Sequence, residues 1–282
     1  LDRLSTRELV RAIHREDATV PRAVERELPA IARAVEAIVR SLRGGGRLIY
    51  VGAGTSGRLA TLDAAECPPT FGVSPRLVQA VVAGGRRALT RAVEGAEDDA
   101  AQGARDLASR RVGRRDAVVG LTASGNTPYV LGALRLAKRR GAVTIGVTSR
   151  RGADISRVAA IIIAPHTGPE LIHGSTRLKA GSAQKSVLNM LSTAALVRLG
   201  RVYRNWMVDV ALANRKLRGR GMRILREATG ADEASAARAL AQAGGKMRVA
   251  LVMLKTGTGL AEARRRLKQA GGDLRTALGE AR

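Results

Sequence analysis

Cysteine occurs once among the 282 residues, at Cys67, so the chain forms no disulfide within itself and offers no cysteine-based zinc site. Aromatic residues make up only 2%, which leaves almost nothing for nucleic-acid bases to stack on. Acidic residues are scarce, 24 against 49 basic ones. Long apolar runs are missing too: the stretches 161–163 and 249–254 fall far short of the roughly 18–20 residues that cross a bilayer. The chain opens at Leu1 rather than Met and shows, as given, no signal peptide. A soluble, cytoplasmic protein without a membrane partner is the expectation. His14, His166 and His173 have no metal-ligand spacing, and neither a metal nor a cofactor is implied.

The formal charge of +25 invites a nucleic-acid reading, because clustered cations release counterions from a phosphate backbone. The basic residues divide into 42 Arg and 7 Lys, spread through every segment rather than gathered into a tail or stripe. That distribution looks like coding bias, and no helix-turn-helix or zinc-finger pattern accompanies it. Weak adhesion to polyanions is expected; a specific nucleic-acid partner is not.

What is present is a core: 45% of the chain is apolar, and 282 residues suffice for one large domain plus a small one, or two modest domains. Ser5 and Glu8 have the spacing of a capping box that starts a short helix. A second helix follows Pro21, with Val24, Leu28, Ile31, Val35, Ile38 and Leu42 on one stripe. That stripe suits either its own domain or a partner subunit, and Pro29 bends it or moves its start downstream. Gly44-Gly45-Gly46 stops it. Apolar strand candidates at 48–51, 77–82, 117–121, 143–147 and 160–164 then alternate with helical stretches. Such alternation predicts a parallel sheet with right-handed crossovers, flanked by helices. A long helix from about 176 to 199 closes the sheet domain. Past Lys216 the texture turns to short helices punctuated by glycine pairs, and the run 240–251 recurs as 267–278. The expected division is 1–43, N-terminal helices packed on the sheet domain; 44–216, that domain; and 217–282, a small all-α module.

Gly52-Ala53-Gly54-Thr55-Ser56-Gly57 formally matches a dinucleotide fingerprint, but no acidic residue follows at the end of the next strand to hold a ribose. The loop makes better sense with its siblings. Ser124-Gly125-Asn126-Thr127 follows the third strand candidate, Thr148-Ser149 the fourth, and Gly174-Ser175-Thr176-Arg177 opens the long helix. Ser and Thr are ordinary helix caps singly. Several such loops on one sheet edge, each offering amides, hydroxyls and a helix dipole, point to a phosphosugar. Two acidic positions stand out besides. Glu66 precedes Cys67-Pro68-Pro69, where the prolines are expected to end a helix, and Glu97 lies in an acidic run. From the residues alone that run reads as a solvated helix start. Cys67 reads as a packed thiol.

Tyr50 to Leu59, Asp63 to Thr70, Ala92 to Asp98, Ala123 to Tyr129, Gly174 to Gly181 and Leu188 to Thr193 together closely resemble the bacterial N-acetylmuramic acid 6-phosphate etherases. The resemblance runs from about Leu1 to the C-terminus. It implies an α/β sugar isomerase (SIS) domain, a ubiquitin-associated-like C-terminal module and a homodimer. It also implies cleavage of the lactyl ether of N-acetylmuramic acid 6-phosphate to N-acetylglucosamine 6-phosphate and D-lactate, during cell-wall recycling. Glu66 matches the family's proton donor and Glu97 its second catalytic carboxylate, which displaces the solvated reading of Glu97. Gly54, Thr55, Ser56, Ser124, Asn126, Thr127, Ser175 and Arg177 are the expected substrate and phosphate contacts. His173 departs from the small hydroxylated residue expected there.

The chemistry suits the residues. An open-chain sugar has an aldehyde that acidifies its C2 proton, within reach of a positioned carboxylate. The lactyl oxygen at C3 is a poor leaving group and needs a proton from a carboxylic acid kept neutral by its surroundings. Two other readings stay open: an aldose–ketose sugar-phosphate isomerase, and a non-catalytic sugar-phosphate sensor such as the related glucokinase regulatory protein.

Overall fold

The structure is a computed structural model that describes residues 1–210, 212 and 215–280. The chain forms two compact units, one of Leu1–Ala65 with Pro75–Ala195, the other of Glu66–Ser74 with Leu196–Arg282.

The first unit opens with Thr6–Asp17 (α1), capped as expected: the Ser5 hydroxyl accepts from the Glu8 amide, and the Glu8 carboxylate accepts from the Ser5 amide at 2.9 Å. The apolar stripe that follows is split between Val20–Glu25 (α2) and Leu28–Arg43 (α3). Pro29 sits in the first turn of α3, where its missing N–H costs nothing, so the helix restarts there instead of bending. Leu28 is left exposed, while Val24, Ile31, Val35, Ile38 and Leu42 are buried and α3 lies across the sheet. Apart from Leu28, the stripe is therefore buried by its own unit.

Five strands, Leu48–Gly52 (β1), Val78–Val82 (β2), Ala117–Leu121 (β3), Val143–Val147 (β4) and Ile161–Ile163 (β5), lie within one residue of the expected bounds. All pair in parallel, in the order β2-β1-β3-β4-β5. β1 and β3 are buried at every residue, which is why they read as unbroken apolar runs rather than alternating ones. Gly54–Phe71 (α4), Ala100–Ser109 (α5), Pro128–Arg139 (α6), Ile155–Val158 (α7) and Lys179–Arg198 (α8) alternate with them. The chain leaves β1 for β2 on one side and returns to β3 on the other. The loops that leave the carboxyl ends of β1 and β3 therefore run to opposite sides, and such a switch point is the usual place for a ligand in a sheet of this kind.

At the opposite end of β1 and β3, Arg47 and Asp116 form a clamp. The guanidinium donates to both carboxylate oxygens, at 3.1 and 2.8 Å, and the Arg47 and Gly113 amides add two bonds at 2.9 Å. Burial works to raise the Asp116 carboxyl, but these donors outweigh it and hold it below the usual range.

One expectation is corrected here. Pro68 and Pro69 do not end the helix that carries Glu66; both lie inside α4. They only deprive the Ala64 and Ala65 carbonyls of their helical donors, and the ladder resumes with the Gly72 amide on Pro68 O at 2.9 Å.

Besides the end of α4, the described residues of the second unit form a short hairpin, Val202–Tyr203 (β6) with Trp206–Met207 (β7), and a set of short helices. These are Arg215–Thr229 (α9), Glu233–Gln242 (α10), Met247–Thr256 (α11), Leu260–Gln269 (α12) and Leu274–Leu278 (α13). The sequence repeat is a structural one: α10 to α11 and α12 to α13 each turn on a glycine pair. In both, the second glycine's amide bonds five residues back, Gly245 to Leu240 O and Gly272 to Leu267 O. Among the described residues, no helix is long and apolar enough to cross a membrane.

Candidate active site

The hydroxyl-bearing loops gather where the parallel strands end. After β1 the chain passes through Ala53 directly into α4, placing Gly54, Thr55 and Ser56 in its first turn, with Ser56 buried and Thr55 half-buried. After β3, Thr122 is the hub of the next loop. Its buried hydroxyl meets Thr127 Oγ1 at 2.8 Å, Ser124 Oγ at 3.2 Å and the Gly125 amide at 3.2 Å. Gly125 has φ +78, and a Cβ there would stand 2.3 Å from Ala153 Cβ, so this turn admits only glycine. Asn126 accepts the Asp154 amide at 3.0 Å, which ties the loop to the start of α7. Ser124 and Asn126 stay exposed, each with capacity for a further bond.

The third loop differs from expectation. The Glu170 carboxylate accepts the Lys179 and Ala180 amides at 3.0 and 2.9 Å, so the first turn of α8 already holds an anion of its own. What this loop leaves for a ligand is the half-buried Ser175 hydroxyl and the exposed Arg177 guanidinium; His173 is exposed beside them. Gly181 on α8 faces Thr55: a Cβ built there would lie 3.6 Å from Thr55 Cγ2. Ser149 Oγ after β4 and Gln184 Nε2 on α8 are buried without a hydrogen-bond partner among the described residues.

Glu97 lies in a turn just ahead of Asp99, which caps α5. That is an exposed acidic turn leading into a helix, and its backbone has a further tie. The Glu97 carbonyl accepts the Tyr129 amide at 3.0 Å, which brings it beside the first turn of α6, directly after Thr127. The loop that bears it is also held by Arg58 of α4, which donates to Ala88 O at 2.9 Å and Arg91 O at 3.0 Å. The Glu97 side chain is exposed.

Glu66 lies in the later part of α4, in the segment grouped with the second unit, and is exposed as well. One turn earlier, Asp63 is buried and anchors the helix: Tyr50 of β1 donates to it at 2.8 Å and Ser192 of α8 at 3.1 Å. Burial pushes the Asp63 carboxyl up, against the pull of those two hydroxyls and of Lys185. Sequence reasoning missed Asp63, Thr122 and Glu170: Asp63 takes its role from Ser192 far along the chain, and the loops of Thr122 and Glu170 carry no pattern that marks which side chain the others bond to.

The match to known families is extensive. The glucokinase regulatory protein N-terminal SIS domain matches residues 30–138, and the SIS domain matches residues 97–194. The chain is 51% identical to the N-acetylmuramic acid 6-phosphate etherase of Geobacillus thermodenitrificans, over 90% of this chain and 86% of that one. It is 55% identical to the enzyme of the same name from Rubrobacter xylanophilus, over 90% and 84%. A solved phosphoheptose isomerase from Francisella tularensis shares the fold, with a TM-score of 0.53 and 19% identity over 69% of this chain and all of the other.

Proposed function

This chain belongs to the N-acetylmuramic acid 6-phosphate etherase family, and we propose that it cleaves the lactyl ether of N-acetylmuramic acid 6-phosphate to N-acetylglucosamine 6-phosphate and D-lactate. It is a carbon–oxygen lyase. The observation that supports the reading is the bond from the Tyr129 amide to the Glu97 carbonyl, which brings the backbone of Glu97 next to the hydroxyl-lined loop 122–127. In this reading the loops at Gly54–Ser56 and Ser124–Thr127, with Ser175 and Arg177, hold the phosphosugar. Glu97 takes the C2 proton. Glu66 gives a proton to the lactyl oxygen as the C3–O bond breaks, leaving an unsaturated aldehyde. Water then adds, its hydroxyl to C3 and its proton to C2. Glu66 is exposed in the single chain, so the desolvation that a proton-donating carboxyl needs comes from whatever covers it, the substrate or a second copy.

Lactate release from N-acetylmuramic acid 6-phosphate tests the reading. Aldose–ketose interconversion of a sugar phosphate in place of lactate release overturns it in favour of an isomerase. Tight binding without turnover overturns it in favour of a sensor.

Residues 1–43 are assigned as helices packed on a SIS domain of 44–216, with 217–282 a ubiquitin-associated-like module, in a cytoplasmic homodimer that recycles cell-wall amino sugars. The dimer finds support in α1, which buries none of its residues and shows Val10 and Ile13 to solvent. Light scattering at micromolar concentration is expected to report about twice the chain mass, since two-fold closure is the commonest assembly. A fully active monomer under assay conditions would overturn it.

A further inference from the structure

The second unit contains a tie that the reaction scheme does not use. Gly72 closes α4 in the left-handed region (φ +60), fewer than two turns after Glu66. A Cβ on Gly72 would stand 2.5 Å from the Asp209 carbonyl oxygen and 2.7 Å from Asp209 Cβ, so both conformation and space demand glycine. Asp209 is itself fixed. Its carboxylate pairs with Arg248 at 2.8 Å and with Arg201 at 3.5 Å. Arg248 also donates to Gly200 O at 2.5 Å and Gly272 O at 2.6 Å, joining the residues after α8 to the second glycine pair of the repeat. The Arg248 and Asp209 side chains are only 12% and 18% exposed. A pair so shielded from water holds its geometry far better than a surface pair.

We propose that the Asp209–Arg248 pair, acting through the close contact at Gly72, positions the end of α4 and with it Glu66. This gives the helical module a part in the reaction: it is the bedding of the proton donor. The inference rests on the reading of Glu66 as that donor, and Gly72, Asp209 and Arg248 are positioning residues that touch no substrate.

Gly72→Ala forces the turn off Asp209. Lactate release is expected to fall roughly 10–100-fold in kcat with KM little changed, since a displacement near 1 Å costs about that much. Exchange of the C2 hydrogen with heavy water, which Glu97 performs, is expected to persist. On a Glu66→Gln background the same substitution is expected to add no further loss, because residues acting through one group are non-additive. If Gly72→Ala does not fold by circular dichroism, Arg248→Lys is used instead; it keeps the charge, loses the forked donor and is expected to give the same pattern more weakly. Full lactate release in the folded variant, equal loss of lactate release and exchange, or a multiplicative loss on the Glu66→Gln background would each overturn the proposal. If Glu66→Gln alone keeps lactate release, the reading of Glu66 fails first. If Glu66→Gln stops it and the Gly72 and Arg248 variants do not, only the positioning role is lost.

Discussion

Glu66→Gln is expected to stop lactate release while leaving exchange of the C2 hydrogen with heavy water, and Glu97→Gln is expected to lose both. The asymmetry follows from the order of events. Proton abstraction at C2 creates the carbanion that expels the lactyl group, so a variant without the acid still removes and returns the C2 proton. A variant without the base never reaches that point. Each loss is expected to be roughly 10²–10⁴-fold, the worth of a positioned acid or base. The amide side chain is close in shape to the carboxylate, and both residues are exposed, so folding is expected to be unaffected. Proton exchange followed by nuclear magnetic resonance, alongside a coupled lactate assay, reads the two steps separately. Exchange lost in Glu66→Gln but kept in Glu97→Gln would reverse the roles. Near-normal lactate release in both would return them to two solvated carboxylates.

How much of this was legible in the residues depends on whether a local or a tertiary cause set each feature. β1 and β3 were readable because strands covered on both faces must be apolar throughout. The capping box was readable because its two partners are three residues apart. The end of α4 was misread because proline was given the weight that belongs to Gly72. Each proline removes one helical donor, to Ala64 O and Ala65 O, without stopping the helix, whereas a glycine with positive φ turns the chain away. The apolar stripe from Val24 to Leu42 left its burial partner open, since periodicity records a buried face and not what buries it; the partner is the sheet. Glu97 was singled out only through the family resemblance. Its local sequence is that of any acidic turn, and what distinguishes it is Tyr129, 32 positions away in the chain. Thr122 at the end of a strand and Glu170 in a loop gave no signal at all. Their weight lies in the hydroxyls and amides of their own loops, which only the loop conformation turns toward them.

Unphosphorylated N-acetylmuramic acid is expected to be turned over with a kcat/KM at least about 100-fold below that of the 6-phosphate. The loops at the carboxyl ends of the strands are rich in hydroxyls and amides and poor in charge of their own, which suits a phosphomonoester with several strong acceptor oxygens. Hydrogen bonds to a charged group contribute about 1.5–3 kcal/mol each, so losing two removes about 3–6 kcal/mol, a factor of roughly 10² or more. Glu170 already fills the first amides of α8, and the discrimination therefore falls on the other two loops and on Arg177. Within the Thr122 hub, Ser124→Ala deletes one ligand hydroxyl without touching the 2.8 Å bond between Thr122 and Thr127. That variant is expected to narrow the preference by roughly tenfold, the worth of one such bond, with activity on the unphosphorylated sugar unchanged. Inorganic phosphate and sulfate are expected to compete with the phosphorylated substrate. Steady-state kinetics on both sugars with wild type and Ser124→Ala decide it: comparable efficiency on the two sugars in the wild type would remove the phosphate as the affinity handle. An equal fall on both sugars in the variant would place Ser124 in a structural role, outside the phosphate contact.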